Sequence, residues 1–219
     1  MSVKENIGQI RGELPQGVEL VAVSKFHPVS AIMEAYEAGQ RVFGENRPQE
    51  LAAKAPGLPC DIRWHFIGHL QTNKLKQVLP YAHMVQSVDS LHLLEAMHAW
   101  LERNGRKMDC LLELHLGAEE TKTGLTEEEI RGILAHSSDY PCLGFCGLMG
   151  MATNTDDEQL IRADFRRISR LWKELKAAHP ELEGFRELSI GMSGDYRIAL
   201  EYGATMVRIG TGIFGAREY

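Results

Sequence analysis

The sequence predicts an α/β protein in which eight parallel strands, each followed by a helix, close into a single (β/α)8 TIM barrel. Short apolar runs alternate with helix-period segments along the whole chain. The apolar runs number eight, and a count of eight favours closure over an open sheet. No linker rich in proline or serine divides the 219 residues. An open, doubly wound sheet is the structural alternative.

The elements follow one another regularly along the chain. An amphipathic helix is expected over roughly 3–13, followed by the first strand, VELVAVS, at 18–24. The next helix begins near Pro28, whose fixed φ suits a first helical turn. Further strands are expected at 41–45, 62–68, 84–88, 108–116, 141–149, 187–191 and 205–210. Helices are expected after them at 47–55, 71–79, 90–104, 126–136, 157–178, 194–202 and 211–215.

Two helix starts carry recognisable caps. Asp89 or Ser90 precedes one helix, and Thr126 with Glu129 three residues later forms a capping box before another. With every segment assigned, residues 1–219 are expected to form one barrel domain with an N-terminal helix.

Composition excludes several classes of protein. With 44% apolar and 25% charged residues, the chain can bury a sizeable core. The longest apolar stretch, 142–152, is far shorter than the roughly 18 residues that span a bilayer, and the N-terminus lacks signal-peptide features, so a cytoplasmic protein is expected. A net charge of −6 without a basic cluster argues against nucleic acid. Four cysteines are too few for a disulfide framework, and nine scattered histidines argue against a metal site.

The end of the first strand carries a lysine. Ligand chemistry in such barrels gathers at the C-terminal ends of the strands. Strand alternation places Val21, Val23 and Lys25 on the face that lines the interior. Partial desolvation there lowers the pKa of a lysine and favours its attack on a carbonyl to form an imine. The plainer alternative is a lysine that extends from the strand end into solvent.

Two glycine-rich turns follow the last two strands, GMSGD at 191–195 and RIGTG at 208–212. Backbone amides at the two helix starts, with the hydroxyls of Ser193 and Thr211, would form a cradle for a phosphate. Phosphate sites recur after strands seven and eight of barrels. Alternatively, the glycines only serve tight turns.

Arg208 shares strand parity with Met206 and Gly210, so it is expected to point inward, where it needs a ligand or an acid. A phosphate site, an imine-forming lysine and an inward arginine together fit pyridoxal 5′-phosphate. Lys25 would then meet the aldehyde and Arg208 the ring nitrogen. A cationic donor leaves that nitrogen unprotonated and weakens the ring as an electron sink.

Several motifs spread over nearly the whole chain closely resemble the YggS/PROSC family of pyridoxal-phosphate-binding proteins. They are VAVSKFHP (21–28), FGENRPQE (43–50), WHFIGHLQTNK (64–74), SVDS (87–90), ETKTGL (120–125), GLMGMA (147–152) and the segment 188–215. The resemblance implies the barrel of the alanine racemase N-terminal domain, which is pyridoxal phosphate fold type III. It also implies a role in carrying and buffering the cofactor without robust catalytic turnover.

The resemblance also implies a set of cofactor-binding residues. Lys25 matches the Schiff-base lysine, Asn46 lies on the lysine side of the cofactor, and Arg208 matches the partner of the pyridine nitrogen. Ser193, Gly210 and Thr211 match the phosphate binders, and Met192 is also expected among the cofactor-binding residues. No catalytic or metal-binding residue is assigned.

The motif WHFIGHLQTNK adds His65, which is expected with Gly68 at the cofactor mouth. Residues 71–74 would either form a polar rim over the cofactor or only cap and solvate the start of a helix.

Two other activities remain open. An amino-acid racemase needs a base on each face of the substrate, and the related racemases take the second from an additional domain for which this chain is expected to have no residues left. A Schiff-base aldolase acting on a phosphosugar would use the same lysine and phosphate turns without a cofactor. The expected partners are pyridoxal phosphate and apoenzymes that depend on it, with no nucleic acid or membrane, and the barrel is expected to be a monomer.

Overall fold

The computed structural model describes residues 2–117 and 123–215, and these form a closed barrel of eight parallel strands. Each strand pairs with the next one in chain order. The last strand returns to the first, where Leu20 lies opposite Val207. The predicted (β/α)8 barrel is therefore confirmed, and the open sheet is excluded.

The elements lie close to their predicted positions. The strands are β1 (Glu19–Val23), β2 (Val42–Glu45), β3 (Arg63–Phe66), β4 (Ala82–Val88), β5 (Met108–Glu113), β6 (Leu143–Met149), β7 (Glu187–Met192) and β8 (Met206–Ile209). The α-helices of the described ranges are α1 (Val3–Glu13), α2 (Val29–Glu37), α3 (Pro48–Lys54), α4 (Leu75–Val78), α5 (Leu91–Arg103), α6 (Glu127–Ala135), α7 (Glu158–Ala178), α8 (Tyr196–Glu201) and α9 (Thr211–Phe214). The segment predicted as one helix at 71–79 is instead a 3₁₀ turn over Thr72–Lys74 followed by α4.

Side-chain caps define several helix starts. The Ser90 hydroxyl accepts the Leu93 N–H at 3.2 Å, so Ser90 rather than Asp89 caps α5. Thr126 and Glu129 form the predicted capping box of α6. Pro28 lies just before α2 rather than in its first turn. Within the described ranges, no helix has the length and apolar content needed to cross a bilayer.

Apolar residues pack on both sides of the barrel wall. The main core lies between the strands and the helices and contains fully buried aromatic residues such as Phe43, Phe66 and Phe165. A separate cluster inside the barrel takes one residue each from β4, β5, β6 and β8: Met84, Leu111, Met149 and Met206. These side chains fill the barrel interior, and Met151, which packs against them, also lines the cavity described next.

Candidate functional site

A cavity of about 720 Å³ opens at the C-terminal ends of the strands. Seven of the eight predicted cofactor-binding residues line it: Lys25, Asn46, Met192, Ser193, Arg208, Gly210 and Thr211. His65 is the exception. The ends of β1, β2, β7 and β8 therefore bring together residues that lie up to 186 positions apart in the sequence.

Lys25 enters the cavity from a turn directly after β1. The turn is closed by the His27 N–H, which donates to the Ser24 carbonyl at 3.1 Å. The Lys25 side chain is half-buried. Val21 and Val23 lie on one face of β1, because a Cβ built on Gly44 of β2 would lie 3.1 Å from Val21 Cγ1 and 3.5 Å from Val23 Cγ2. Val23 also lines the cavity, so this face points into the barrel. The amine is thus carried by the interior face of β1.

The two glycine-rich turns lie side by side. The Ser193 hydroxyl accepts the Gly212 N–H at 3.4 Å, which joins the turn after β7 to the start of α9. Gly191 has a φ of +92°, and a Cβ there would come within 2.7 Å of Ala199 Cβ. Glycine is therefore required at that position both for the turn and for the close approach of α8. This adjacency supports a single anion cradle that includes Ser193 and Thr211.

Arg208 lies at the inner wall of the cavity and is only 4% exposed. Its guanidinium donates to the Ser189 carbonyl and hydroxyl, both at 2.7 Å, and to the Gly150 carbonyl at 2.9 Å. Burial lowers the pKa of Arg208 to about 10, while Glu113 and Asp195 act in the opposite direction. The arginine is therefore cationic at neutral pH, and described neighbours already hold its orientation.

Glu113 is a cavity residue that the sequence analysis missed. It is 3% exposed and lines the same cavity as Arg208. Burial raises the pKa of Glu113 to about 7, the negative charge of Asp89 adds to the increase, and Arg208 opposes it. The predicted strand ran to residue 116, whereas β5 ends at Glu113. The available signal was an acidic residue two positions after Leu111, on the same inward face of the strand.

The raised pKa of Glu113 gives a pH-dependent stability in the protein without cofactor. A carboxyl whose pKa is higher in the folded state than in the unfolded state favours folding at low pH, and that contribution is lost as the pH rises through the folded value. Between pH 4.5 and pH 8 this costs the folded protein up to about 3 kcal/mol. We expect Glu113→Gln to be more stable than the wild type at pH 8 by a similar amount, measured by urea denaturation.

The control for this prediction is Glu128→Gln, which changes an exposed carboxyl in the first turn of α6. Its pH profile should follow that of the wild type. Identical pH slopes for Glu113→Gln and the wild type would contradict the assignment of a buried, readily protonated carboxyl.

His65 does not lie at the mouth of this cavity, where the sequence predicts it. Its side chain is 1% exposed, and its Nδ1 lies 2.7 Å from Nε2 of Gln86 inside the barrel. It lines a separate cavity of about 340 Å³, which also contains Arg63 at the start of β3. Burial lowers the pKa of His65 to about 3, with further lowering by the charges of His83 and Arg63. His65 is neutral, and its side chain opens on this second cavity, whose lining includes the first residues of three strands: Glu19, Arg63 and Met206.

Gly68, three residues further on, does line the cavity, as expected. A Cβ at this glycine would lie 2.3 Å from the Asn46 carbonyl oxygen, so the loop after β3 packs directly on Asn46. The Asn46 side chain has a buried Oδ1 with no hydrogen-bond partner among the described residues. A buried acceptor without a donor is costly, so this oxygen points to a ligand that can donate.

The segment after Gly68 contributes a different residue from those expected. His69 lines the cavity, and its Nδ1 lies 2.6 Å from Oδ2 of the buried Asp89. Residues 71–74 form a turn in which the Lys74 N–H donates to the Gln71 carbonyl, which supports the plainer interpretation of that stretch. Of the motif ETKTGL, residues 120–122 lie outside the described ranges, and Thr123 lines the cavity.

Over residues 2–117 and 123–215, no three histidine, cysteine or acidic side chains are grouped so that they could hold a metal ion. The cavity presents an amine, a guanidinium, a carboxyl and the anion cradle.

The chain matches known proteins over nearly its full length. The family model described as alanine racemase, N-terminal domain, matches residues 1–218. A pyridoxal phosphate homeostasis protein of Vibrio alginolyticus is 38% identical over 233 residues, covering 100% of this chain and 99% of the relative. The Homo sapiens protein of the same name is 38% identical over 235 residues, covering 100% of this chain and 85% of the relative.

Solved structures agree with these matches. PipY of Synechococcus elongatus, solved with pyridoxal phosphate bound, has a TM-score of 0.90 at 37% identity, covering 98% of this chain and 100% of the other. Alanine racemase from E. faecalis has a TM-score of 0.76 at 16% identity, covering 98% of this chain and 57% of the racemase, which shows a shared fold only.

Proposed function

The chain belongs to the family of pyridoxal phosphate homeostasis proteins, and we propose that it binds pyridoxal 5′-phosphate, carries it and buffers its free concentration. One observation supports this most directly: a single cavity holds an amine, an anion cradle and an inward guanidinium, which come from three different strands, β1, β7 and β8. The related PipY, a structure of which contains the cofactor, covers the same barrel.

The residues of the cavity fit this cofactor group by group. Its aldehyde is the group that an amine attacks, so Lys25 would hold it as a Schiff base. Ser193, Gly210 and Thr211 would bind the phosphate, and Arg208 would face the ring nitrogen. The unpaired Oδ1 of Asn46 would accept a hydrogen bond from the cofactor on the lysine side. Met192 lies at the rim, 40% exposed.

We propose that the chain has no robust catalytic turnover. Arg208 is cationic at neutral pH, since its pKa is about 10. A cation at the ring nitrogen keeps that nitrogen unprotonated, and the ring is then a poor acceptor of the electrons that a carbanion releases. A weak racemase-like side activity is the second candidate, and His69, held by Asp89, supports it because it places an imidazole in the same cavity as Lys25.

The cysteines bear on where in the cell the protein acts. Cys60, Cys110, Cys142 and Cys146 are free thiols, as is usual in the reducing cytoplasm, where we propose that the protein acts. A single domain over residues 1–219, a monomeric barrel, and apoenzymes as recipients of the cofactor all stay predictions from the sequence.

The test is a titration of the purified protein with pyridoxal phosphate, followed by its difference spectrum and then by borohydride reduction. We expect a visible band that borohydride removes, leaving one pyridoxyl adduct per chain. A protein that takes up no cofactor but reacts with phosphosugars would favour the aldolase. The loaded protein is then incubated with L-alanine in deuterated buffer. Rapid Cα exchange with inversion would contradict the carrier function.

A further inference from the structure

The backbone is unusual immediately after Lys25. Phe26 has a φ of +67°, and it is the one non-glycine residue with a positive φ in the described ranges. It is the third residue of the turn that the His27 N–H closes on the Ser24 carbonyl. Turns with a positive φ at this position normally have glycine there, because a Cβ is disfavoured. Backbone strain of this kind persists only where surrounding contacts impose it.

Helix α3 supplies those contacts. The Phe26 N–H donates to Oε2 of Glu50 at 2.9 Å, and the Lys54 ammonium donates to the Ser24 carbonyl at 3.1 Å. These are the two peptide groups that adjoin Lys25, one on each side. Glu50 and Lys54 also bond to each other at 2.8 Å, one helical turn apart. One ion pair thus holds both peptide groups of the cavity lysine.

Glu45 fixes the ion pair in turn. Its Oε1 accepts the Ser24 hydroxyl at 2.7 Å and the Lys54 ammonium at 2.8 Å. Lys54 therefore has three acceptors for its three N–H donors, and its side chain is only 11% exposed. Glu45 is fully buried, and its Oε2 has no partner among the described residues. A fully bonded, buried ammonium is held in one orientation, unlike the flexible lysines of a protein surface.

We propose that Glu50 and Lys54 are positioning residues for Lys25. Their ion pair, anchored by Glu45, imposes the strained turn at Phe26 and so directs the Lys25 amine into the cavity for covalent attachment of pyridoxal phosphate. Neither residue lines the cavity, so neither would contact a cofactor bound there. This inference rests on the proposed function, because it assigns a purpose to the orientation of the same amine.

The test separates attachment from recognition. Pyridoxine 5′-phosphate has the ring and the phosphate but no aldehyde, so its dissociation constant reports the rest of the site alone. The rate of covalent attachment of pyridoxal phosphate is measured by borohydride trapping at timed intervals and mass spectrometry of Lys25. In Glu50→Ala and Lys54→Met, we expect the rate to fall by about tenfold or more, and the dissociation constant of pyridoxine 5′-phosphate to change by less than about threefold.

A rescue variant and a control accompany these measurements. Glycine adopts a positive φ without help, so Phe26→Gly added to Glu50→Ala should restore most of the rate. Glu158→Ala removes an ion pair of the same spacing, with Arg162 on α7, and should leave both measurements at wild-type values. An unchanged rate in Glu50→Ala would overturn the proposal, as would parallel losses of rate and affinity with no rescue.

Hydrogen exchange tests the positioning without any cofactor. We expect the amides of residues 24–27 to exchange about tenfold or more faster in Glu50→Ala than in the wild type, with exchange in α7 unchanged. Equal exchange in the two proteins would overturn the proposal. If the wild type binds pyridoxine 5′-phosphate but forms no adduct with pyridoxal phosphate, the proposed Schiff base fails, and the exchange measurement still decides the role of Glu50.

Discussion

Replacing Lys25 with alanine is expected to abolish covalent attachment of pyridoxal phosphate altogether. The amine enters the cavity from the end of β1, and Lys25 is the one lysine among the described residues that line the cavity. The variant should show no visible band after titration with the cofactor and no pyridoxyl adduct after borohydride reduction. Arg208 and the turns at Ser193 and Thr211 remain in place, so weaker, reversible binding should persist and be measurable by equilibrium dialysis.

Lys76→Ala is the matched control, because Lys76 is an exposed lysine on α4. It should form one adduct per chain, as the wild type does. If Lys25→Ala still formed a stoichiometric adduct, another lysine would be the attachment site, and the strand-end argument would be wrong.

The fold and most of the site could be predicted because both depend on short-range periodicity. Alternation along one strand is enough to place Lys25 beyond Val21 and Val23, and the same rule turns Arg208 inward. The glycine turns were recognisable because a positive φ, such as that of Gly191, favours glycine at that position. Barrel closure then brings the ends of the chain together, since β1 pairs with β8.

Two residues show where such reasoning stops. Parity gives the direction of a side chain but not its depth, and depth depends on where the strand ends. His65 does point inward, but it lies near the middle of the barrel and bonds to Gln86. Glu113 was missed because its strand was predicted to end three residues later than it does. The residue at the true strand end was therefore taken for one in the middle of the strand.

The contacts that position Lys25 could not be predicted from the sequence. They join Ser24, Glu45, Glu50 and Lys54. Ser24 and Glu45 are 21 positions apart, and their contact arises only when β1 and β2 pair. Glu50 and Lys54 look like an ordinary helical ion pair of the kind that stabilises little at a surface. Their role becomes visible only when helix α3 is placed against the turn at Phe26.

The Arg208→Met substitution should have the largest effect on stability. Methionine fills much of the space but donates no hydrogen bonds, so the buried Gly150 carbonyl loses the guanidinium as its donor, and the Ser189 carbonyl keeps only the Gly150 N–H at 3.1 Å. Glu113 also loses its neighbouring positive charge. Removing one side of a buried charged network costs about 3–5 kcal/mol. In a chain of this size, that corresponds to a fall in melting temperature of roughly 10 °C or more in the protein without cofactor.

The control for Arg208 is Arg63→Met, which removes a half-exposed ion pair with Glu19 at the opposite end of the barrel. Such pairs contribute about 1 kcal/mol or less, so its melting temperature should stay close to that of the wild type. Adding Glu113→Gln to Arg208→Met should recover part of the loss, because the amide removes a carboxyl that no longer has a cation beside it. Equal melting temperatures for Arg208→Met and the wild type would contradict the expected contribution of these hydrogen bonds to the stability of the protein without cofactor.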